Sequence, residues 1–191
     1  MSKSPWKTLS TEEVFKNKWM KLIKNEVIHP NGVKGEYAYL EAIPGIVVLA
    51  YEDNSIYFIR EFKYPIDKWI WNLFTGGLHE GEDSLKVAKE ELFNEGKIIA
   101  EQWIDLGKFY FAPAIETTYN HVYIATNLKI GTFEPNGEGD EAIKEIKKVP
   151  FEEIKEMINS GKIESGLVLG ALMKFFTYIE VTKLNKLNAR H

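Results

Sequence analysis

The chain has 191 residues, of which 45% are hydrophobic and 13% aromatic, and this composition indicates a globular protein with a sizeable core. The mild net charge of −4 argues against a general nucleic-acid binder, and the absence of cysteine excludes disulfides and thiolate metal sites. No apolar run reaches the roughly 18 residues of a membrane span and no signal-peptide pattern begins the chain, so we expect no membrane partner and take the cytoplasm as the default compartment.

The N-terminal part predicts a β-hairpin. Residues 1–17 are polar with one short apolar cluster, and we expect an arm or an irregular start there. Residues 19–29 and 33–42 alternate apolar and polar side chains on either side of the turn sequence Pro-Asn-Gly at 30–32. Asn-Gly between alternating segments is a strong hairpin signal.

Short apolar segments between turn residues then predict a sheet. The run at 46–51 is almost continuously apolar, which is typical of a strand buried on both faces. Residues 129–140 contain Gly and Pro at several positions and predict a loop. The predicted strands cover residues 46–51, 56–62, 98–110, 119–125 and 142–149.

Three helices are predicted. In the first, over 84–95, apolar residues recur at i, i+3 and i+7, with Asp83 or Ser84 as the N-cap and Gly96 as the stop. The second covers 151–159 and the third 165–179. These elements predict one α+β domain that ends in a solvated tail.

The first helix is unusually acidic. Glu91 and Glu95 are one turn apart, Glu90 lies beside them and Glu82 precedes the first turn. Like charges at this spacing cost a helix a few tenths of a kcal/mol per pair. The simplest interpretation is a solvated acidic face; the functional one is a site for a hard divalent cation, for which carboxylates are suitable ligands.

The segment from Gly76 to Ile98 resembles the Nudix box. That pattern is Gly, five residues, Glu, seven residues, Arg-Glu, an aliphatic residue, any residue, Glu-Glu, any residue, Gly and an aliphatic residue. Three positions depart: Glu90 replaces the Arg, Asn94 the first of the paired glutamates, and Lys97 the Gly. The six matching positions are Gly76, Glu82, Glu91, Leu92, Glu95 and Ile98.

Segments outside the box resemble the ADP-ribose pyrophosphatase-like members of this family. Residues 60–65 (REFKYP) are similar to their Arg-Gln-Phe/Tyr-Arg segment, and 71–76 (WNLFTG) to their Trp-Glu-Leu-Pro-Ala-Gly lead-in. The strands at 106–125 and the segment at 157–163 extend the resemblance over residues 33–175. It implies a Nudix-like α/β/α sandwich with a mixed β-sheet, plus an N-terminal β-hairpin or sheet.

The resemblance also implies site residues. Glu91 and Glu95, with the carbonyl of Thr75, would hold Mg²⁺ or Mn²⁺, and both glutamates would be catalytic. Glu141, with Glu138 and Asp140 as alternatives, would orient or deprotonate the attacking water. A solvated loop acid is the alternative for that position.

On the same grounds, Arg60, Gly76 and Gly77 would contact the substrate. An ion pair with a surface glutamate is the alternative for Arg60. Trp19 and Tyr37 are weaker candidates for stacking on a base, and His121 is better explained by packing or a local hydrogen bond.

The implied activity is hydrolysis of the pyrophosphate in a nucleoside diphosphate linked to another moiety, such as ADP-ribose or a nucleotide sugar. Because Glu90 and Asn94 depart from the box, a catalytically weakened module that binds a nucleotide or a protein is the alternative. The family also implies a homodimer. The expected division is an N-terminal arm and hairpin over 1–42, a hydrolase domain over 43–181 and a polar tail over 182–191. We expect the 1–42 segment to form the dimer contact and to be part of the same domain as the hydrolase segment.

Overall fold

The computed structural model describes residues 4–135 and 142–188, and the side chains within 4–135 and 142–182. Contacts divide the chain into two compact units: Met1–Pro44 with Tyr110–Tyr119, and Gly45–Phe109 with Asn120–His191. No helix in the described part is long and apolar enough to cross a membrane. The predicted domain boundaries at 42/43 and 181/182 stay predictions.

The first unit contains an antiparallel sheet of three strands, β1 (Lys7–Lys16), β2 (Met20–Ile28) and β3 (Lys34–Ala42). The predicted hairpin is confirmed, since β2 and β3 pair from Met20–Ala42 to Ile28–Lys34. The expected irregular start is wrong, because β1 pairs along β2 with two register shifts. All ten residues of β1 are exposed, so burial imposes no alternation from which the strand could be predicted.

Residues 110–119 belong to the same unit and pair with β3. The Leu40 N–H donates to the Ile115 carbonyl at 2.8 Å, and the Thr117 N–H donates to the Leu40 carbonyl at 3.0 Å. The Tyr37 hydroxyl donates to the Ala114 carbonyl at 2.7 Å.

The second unit is built on a mixed sheet. Its main strands lie in the order β10-β5-β4-β9-β8, while β6 pairs with β5 and β7 pairs with β4. The β4–β9 pair is parallel, whereas β5 pairs antiparallel with its neighbours. The bounds are β4 (Gly45–Glu52), β5 (Ser55–Lys63), β6 (Lys68–Asn72), β7 (Phe74–Gly77), β8 (Ile98–Tyr110), β9 (Tyr119–Ile130) and β10 (Ile143–Pro150).

Helices α1 (Ser84–Gly96), α2 (Phe151–Asn159) and α3 (Gly166–Asn188) cover the two faces of this sheet. Leu92 of α1 packs with Val48 in one core cluster, and Leu172 of α3 packs with Val47 in the other. Neighbouring residues of β4 therefore point to opposite layers. The predicted α+β sandwich with a mixed sheet is confirmed.

Two helix boundaries differ from the sequence prediction. α3 continues to Asn188 rather than ending at 179, because residues 180–188 contain no Gly or Pro. α1 includes Gly96, and Lys97 after it, with a φ of 52°, has the left-handed conformation expected of Gly96. Gly96 instead meets the Phe74 ring, where an added Cβ would lie 2.6 Å from Cε1.

Candidate active site

Glu91 lies against the glycine that ends the lead-in to the acidic helix. A Cβ built on Gly76 would lie 2.2 Å from Glu91 Oε1 and 2.4 Å from its Cγ and Cδ, so a side chain at position 76 would have to displace the Glu91 side chain. Gly76 sits in β7 opposite Ile46 of β4, whose side chain belongs to the core layer of α1. The missing side chain brings the sheet and the Glu91 carboxylate together.

Glu95 is held by the backbone of the same strand. Its side chain is buried, with the residue only 5% exposed, and Oε2 accepts a hydrogen bond from the Thr75 N–H at 2.8 Å. A buried carboxylate with a backbone donor has a fixed position. β7 thus contacts both glutamates, Glu91 through Gly76 and Glu95 through Thr75.

The loop between β7 and α1 is closed by its own acidic residues. Glu82 accepts a hydrogen bond from the His79 N–H at 2.7 Å, and its own N–H donates to the His79 carbonyl at 3.2 Å. Asp83 caps the helix by accepting from the Lys86 N–H at 2.7 Å. Glu82, a box residue, therefore stabilises the loop that leads into the helix.

Two of the three residues that depart from the box lie on the solvent side of α1. Glu90 is exposed and forms an i, i+4 ion pair with Lys86 at 3.6 Å. Asn94 is also exposed. Because an exposed pair of this kind is screened by water, Glu90 adds little repulsion to the buried Glu95.

Arg60 does not share the layer of Glu91 and Glu95. Along β5, Phe58 belongs to the core cluster that contains α2 and α3, and Ile59 to the one that contains α1. Because side chains alternate along a strand, Arg60 points to the same face of the sheet as Phe58. Its guanidinium lies 5.3 Å from the centroid of the Trp71 ring. Arg60, which was predicted to contact the substrate, therefore lies on the opposite face of the sheet from the acidic helix.

Gly77 pairs with Gly45 at the end of β7, next to the Gly76–Ile46 pair. The acidic residues predicted to orient the water, Glu141 with Glu138 and Asp140 as alternatives, lie outside the described residues. Their role stays a prediction.

A hydrogen-bonded chain that sequence reasoning missed starts at the first turn of α1. Ser84 Oγ lies 2.7 Å from the Tyr123 hydroxyl, which is 3.5 Å from His121 Nδ1, and His121 Nε2 lies 2.7 Å from Asp105 Oδ1. Tyr123 and His121 are buried, and burial raises the pKa of Tyr123. The local hydrogen bond expected of His121 is present, but the chain joins residues too far apart in sequence to be predicted.

A buried carboxylate occupies the layer of α1 at the end of β5. Glu61 is 2% exposed, accepts a hydrogen bond from Asn72 Nδ2 at 2.8 Å and forms an ion pair with Lys63. Asn72 also accepts from the Leu73 N–H at 3.0 Å. In the two family motifs quoted above, the position of Glu61 is a Gln and the position of Asn72 is a Glu. In this chain the acid and the amide have exchanged places.

The first unit contains a separate cleft of about 320 Å³ with an aromatic wall. Trp6 lies edge-on to Tyr37, with ring centroids 5.5 Å apart, and 4.7 Å from the His29 ring. Tyr37, predicted as a stacking candidate, lines this cleft, whereas Trp19 does not and is 51% exposed.

The donors at Glu91 and Glu95 suit a hard cation. Both are carboxylates one helical turn apart, and the glycine at 76 leaves room for one of them. Among the described residues, no three acidic or histidine side chains form a cluster that could hold a metal. The pair fits part of a magnesium-type site that takes its other ligands from backbone, water or substrate.

Comparisons with known proteins find relatives along most of the chain. Residues 6–40 match the family model described as the nucleoside diphosphate sugar hydrolase N-terminal domain. The chain is 25% identical over 158 residues to an ADP-ribose pyrophosphatase of Bacillus subtilis (strain 168), covering 82% of this chain and 85% of the relative. It is 29% identical over 123 residues to a methanol dehydrogenase activator of Bacillus methanolicus, covering 64% and 66%.

The fold has a close counterpart among solved structures. A crystal structure of an ADP compounds hydrolase superposes with a TM-score of 0.80 at 18% identity, covering 95% of this chain and 98% of that chain. The glycine-supported acidic helix and the mixed sheet together are those of a Nudix-type fold. In sequence and in fold the chain is similar to the ADP-ribose pyrophosphatase-like members of the Nudix family.

Proposed function

We propose that this protein hydrolyses the pyrophosphate of ADP-ribose or a related nucleotide sugar, at a site built on α1 and β7. The observation that carries the proposal is the placement of Glu91 and Glu95 against the same strand, through Gly76 and the Thr75 N–H. That placement needs both box glutamates and the box glycine, and all three are present.

Glu91, Glu95 and the Thr75 carbonyl would hold Mg²⁺ or Mn²⁺. When bound, such an ion neutralises charge on a pyrophosphate and lowers the pKa of a bound water. The chain's own contribution is position: the Thr75 N–H fixes Glu95, and the packing of Gly76 limits where Glu91 can move. Water would add to one phosphorus and the bridging P–O bond would break, giving a nucleoside monophosphate and a sugar phosphate.

The test is a substrate panel followed by ³¹P NMR. The protein is incubated with ADP-ribose and several nucleotide sugars in the presence of Mg²⁺, and the appearance of two phosphate monoesters is measured. Glu91→Gln and Glu95→Gln are the inactive controls, and Glu90→Gln on the exposed side of α1 is the matched active control. The absence of turnover with both Mg²⁺ and Mn²⁺ would overturn the proposal.

A second candidate function is a module that binds a nucleotide or a protein without hydrolysis. It is favoured by the changes at Glu90 and Asn94 and by the similarity to a protein named as an enzyme activator. Stabilisation by a nucleotide without products and without metal dependence would support it. In that case the double substitution Glu90→Arg with Asn94→Glu should create activity.

We also propose that the chain forms a homodimer through the sheet of the first unit. Apolar side chains on and beside β1 and β2 are exposed, and burying them would be favourable. Light scattering after gel filtration tests this, and Phe15→Lys should shift a dimer to monomer. A wild-type monomer contradicts the proposal. The exposed residues are Leu9, Val14, Phe15, Trp19 and Met20.

A further inference from the structure

The face of the sheet opposite α1 contains a cleft for which the proposed hydrolysis has no use. The cleft has a volume of about 470 Å³, within the range of small-molecule sites. Arg60 of β5, Trp71 of β6 and Lys147 of β10 form its sheet side, and Met157 of α2 and Lys162 of the following loop form the other. All belong to the second unit.

The carboxylates in the cleft are already paired. Glu153 forms an ion pair with Lys147, and Glu164 is 3.0 Å from the Lys68 ammonium. Glu145 is opposite Arg60 in the β10–β5 register but is exposed. Among the described residues, Arg60 and Lys162 form no ion pair with a carboxylate, so the cleft has an excess of positive charge.

Arg60 is held against an aromatic ring. Its guanidinium lies over the Trp71 ring, and the residue is half-buried between the strands and the cleft. A guanidinium that lies over an aromatic ring keeps its N–H donors, which point outward from its own edge, available to other partners. A fixed fork with a lysine across the cleft is suited to an anion that has several acceptor oxygens.

We propose that this cleft binds a small phosphate monoester, such as a sugar phosphate. Arg60 donates to two phosphate oxygens and the Lys162 ammonium contacts a third, while the Trp71 edge and Met157 contact the organic part. The volume exceeds what one phosphate ion fills, and the wall formed by Trp71 and Met157 is apolar. The site is independent of the chemistry at Glu91 and Glu95.

The experiment is an NMR titration of the metal-free protein with ribose 5-phosphate, inorganic phosphate and ribose at constant ionic strength. We expect saturable shifts of the Gly161 and Lys162 amides and the Trp71 indole, with ribose 5-phosphate binding more tightly than phosphate and ribose not at all. Arg60→Gln and Lys162→Gln should each weaken binding about tenfold, the effect of one lost charge-assisted hydrogen bond. Lys155→Gln, on the outside of α2, is the matched control for loss of one positive charge and should bind as the wild type does.

Glu91→Gln separates this site from the proposed active site. Binding at the cleft must persist in that variant, so failure of hydrolysis leaves the titration interpretable.

Shifts confined to residues around Gly76, or equal affinities in wild type, Arg60→Gln and Lys162→Gln, would overturn the inference. So would the absence of saturable binding. Equal affinities for phosphate and ribose 5-phosphate would overturn the assigned contact with the organic part. Circular dichroism of each variant verifies the fold.

Discussion

The carboxylate of Glu91 occupies the space that a side chain at position 76 would fill. The nearest approach, 2.2 Å from a built Cβ to Oε1, is far inside any real contact distance. A carboxylate is charged, so it has no favourable place deeper in the apolar layer formed by Leu92 and Phe74. Any side chain at 76 must therefore displace Glu91 or the strand.

Gly76→Ala should lower activity more than stability. Overpacking of this kind costs about 1–3 kcal/mol of unfolding free energy, and a displacement of Glu91 by about 1 Å should lower kcat/KM about a hundredfold. Urea unfolding and steady-state kinetics measure the two effects.

Gly81→Ala is the control, since a Cβ at this position meets no atom within 4 Å but the backbone has a φ of +83°. It should cost about 1 kcal/mol from backbone strain with little change in kcat. Wild-type kinetics for Gly76→Ala would contradict the packing argument.

Glu95 has two separable roles, as an acceptor for the Thr75 N–H and as a charge. Glu95→Gln keeps an acceptor oxygen and should unfold close to wild type while losing metal-dependent activity. Glu95→Ala leaves the Thr75 N–H without this acceptor and should also lose about 1–3 kcal/mol of unfolding free energy. Thermal unfolding and turnover with Mg²⁺ are measured for both. Glu90→Gln, exposed on the same helix, should change stability by less than about 0.5 kcal/mol. An active Glu95→Gln would show that the charge is not needed.

The Glu61–Asn72 pair predicts a double-mutant result. Asn72→Asp places a second carboxylate against a buried one and should cost at least about 2 kcal/mol of unfolding free energy. Adding Glu61→Gln supplies an amide opposite the new acid and should recover most of that loss. Urea unfolding of wild type, both single variants and the double variant gives the coupling energy. Additive effects of the two substitutions would show that the 2.8 Å contact contributes nothing.

Most of the fold follows from local patterns in the sequence. The hairpin around residues 30–32 has its turn residues in the expected places and helix α1 its N-cap residue, and residues 46–50 of the apolar run in β4 are buried. β1 was missed because exposure on both faces leaves no period to detect. β6 and β7 are short, with five and four residues, and provide too little alternation to be recognised.

The candidate site was predictable only where its residues share an element. Glu91 and Glu95 are one turn apart on a helix, so their spacing alone brings them together. Arg60 lies on a strand, and the face it occupies depends on which core layer its neighbours join, a tertiary property. The hydrogen-bonded chain from Ser84 to Asp105 depends on β8 lying beside β9 and on Ser84 of α1 reaching Tyr123. No sequence motif indicates either contact.

Asp105 stabilises the far end of that chain and gives it a pH dependence. Burial raises the pKa of Asp105, but the Gly107 N–H at 2.6 Å and the His121 ring outweigh burial and hold the pKa below its usual value. A carboxyl with a lower pKa in the folded state stabilises the fold above its unfolded pKa, about 4. That contribution is lost as the pH falls through the lower, folded value.

Asp105→Asn should therefore lower the unfolding free energy at pH 7, and its difference from wild type should shrink as the pH falls below about 4. Because the Asp105 side chain is 56% exposed, solvent screening limits the loss to about 1 kcal/mol or less. Urea unfolding between neutral and acidic pH measures it. Asp67→Asn is the control, since asparagine tolerates the left-handed backbone there (φ 51°). A difference that stays constant with pH would mean that the charge of the Asp105 carboxylate does not contribute to stability.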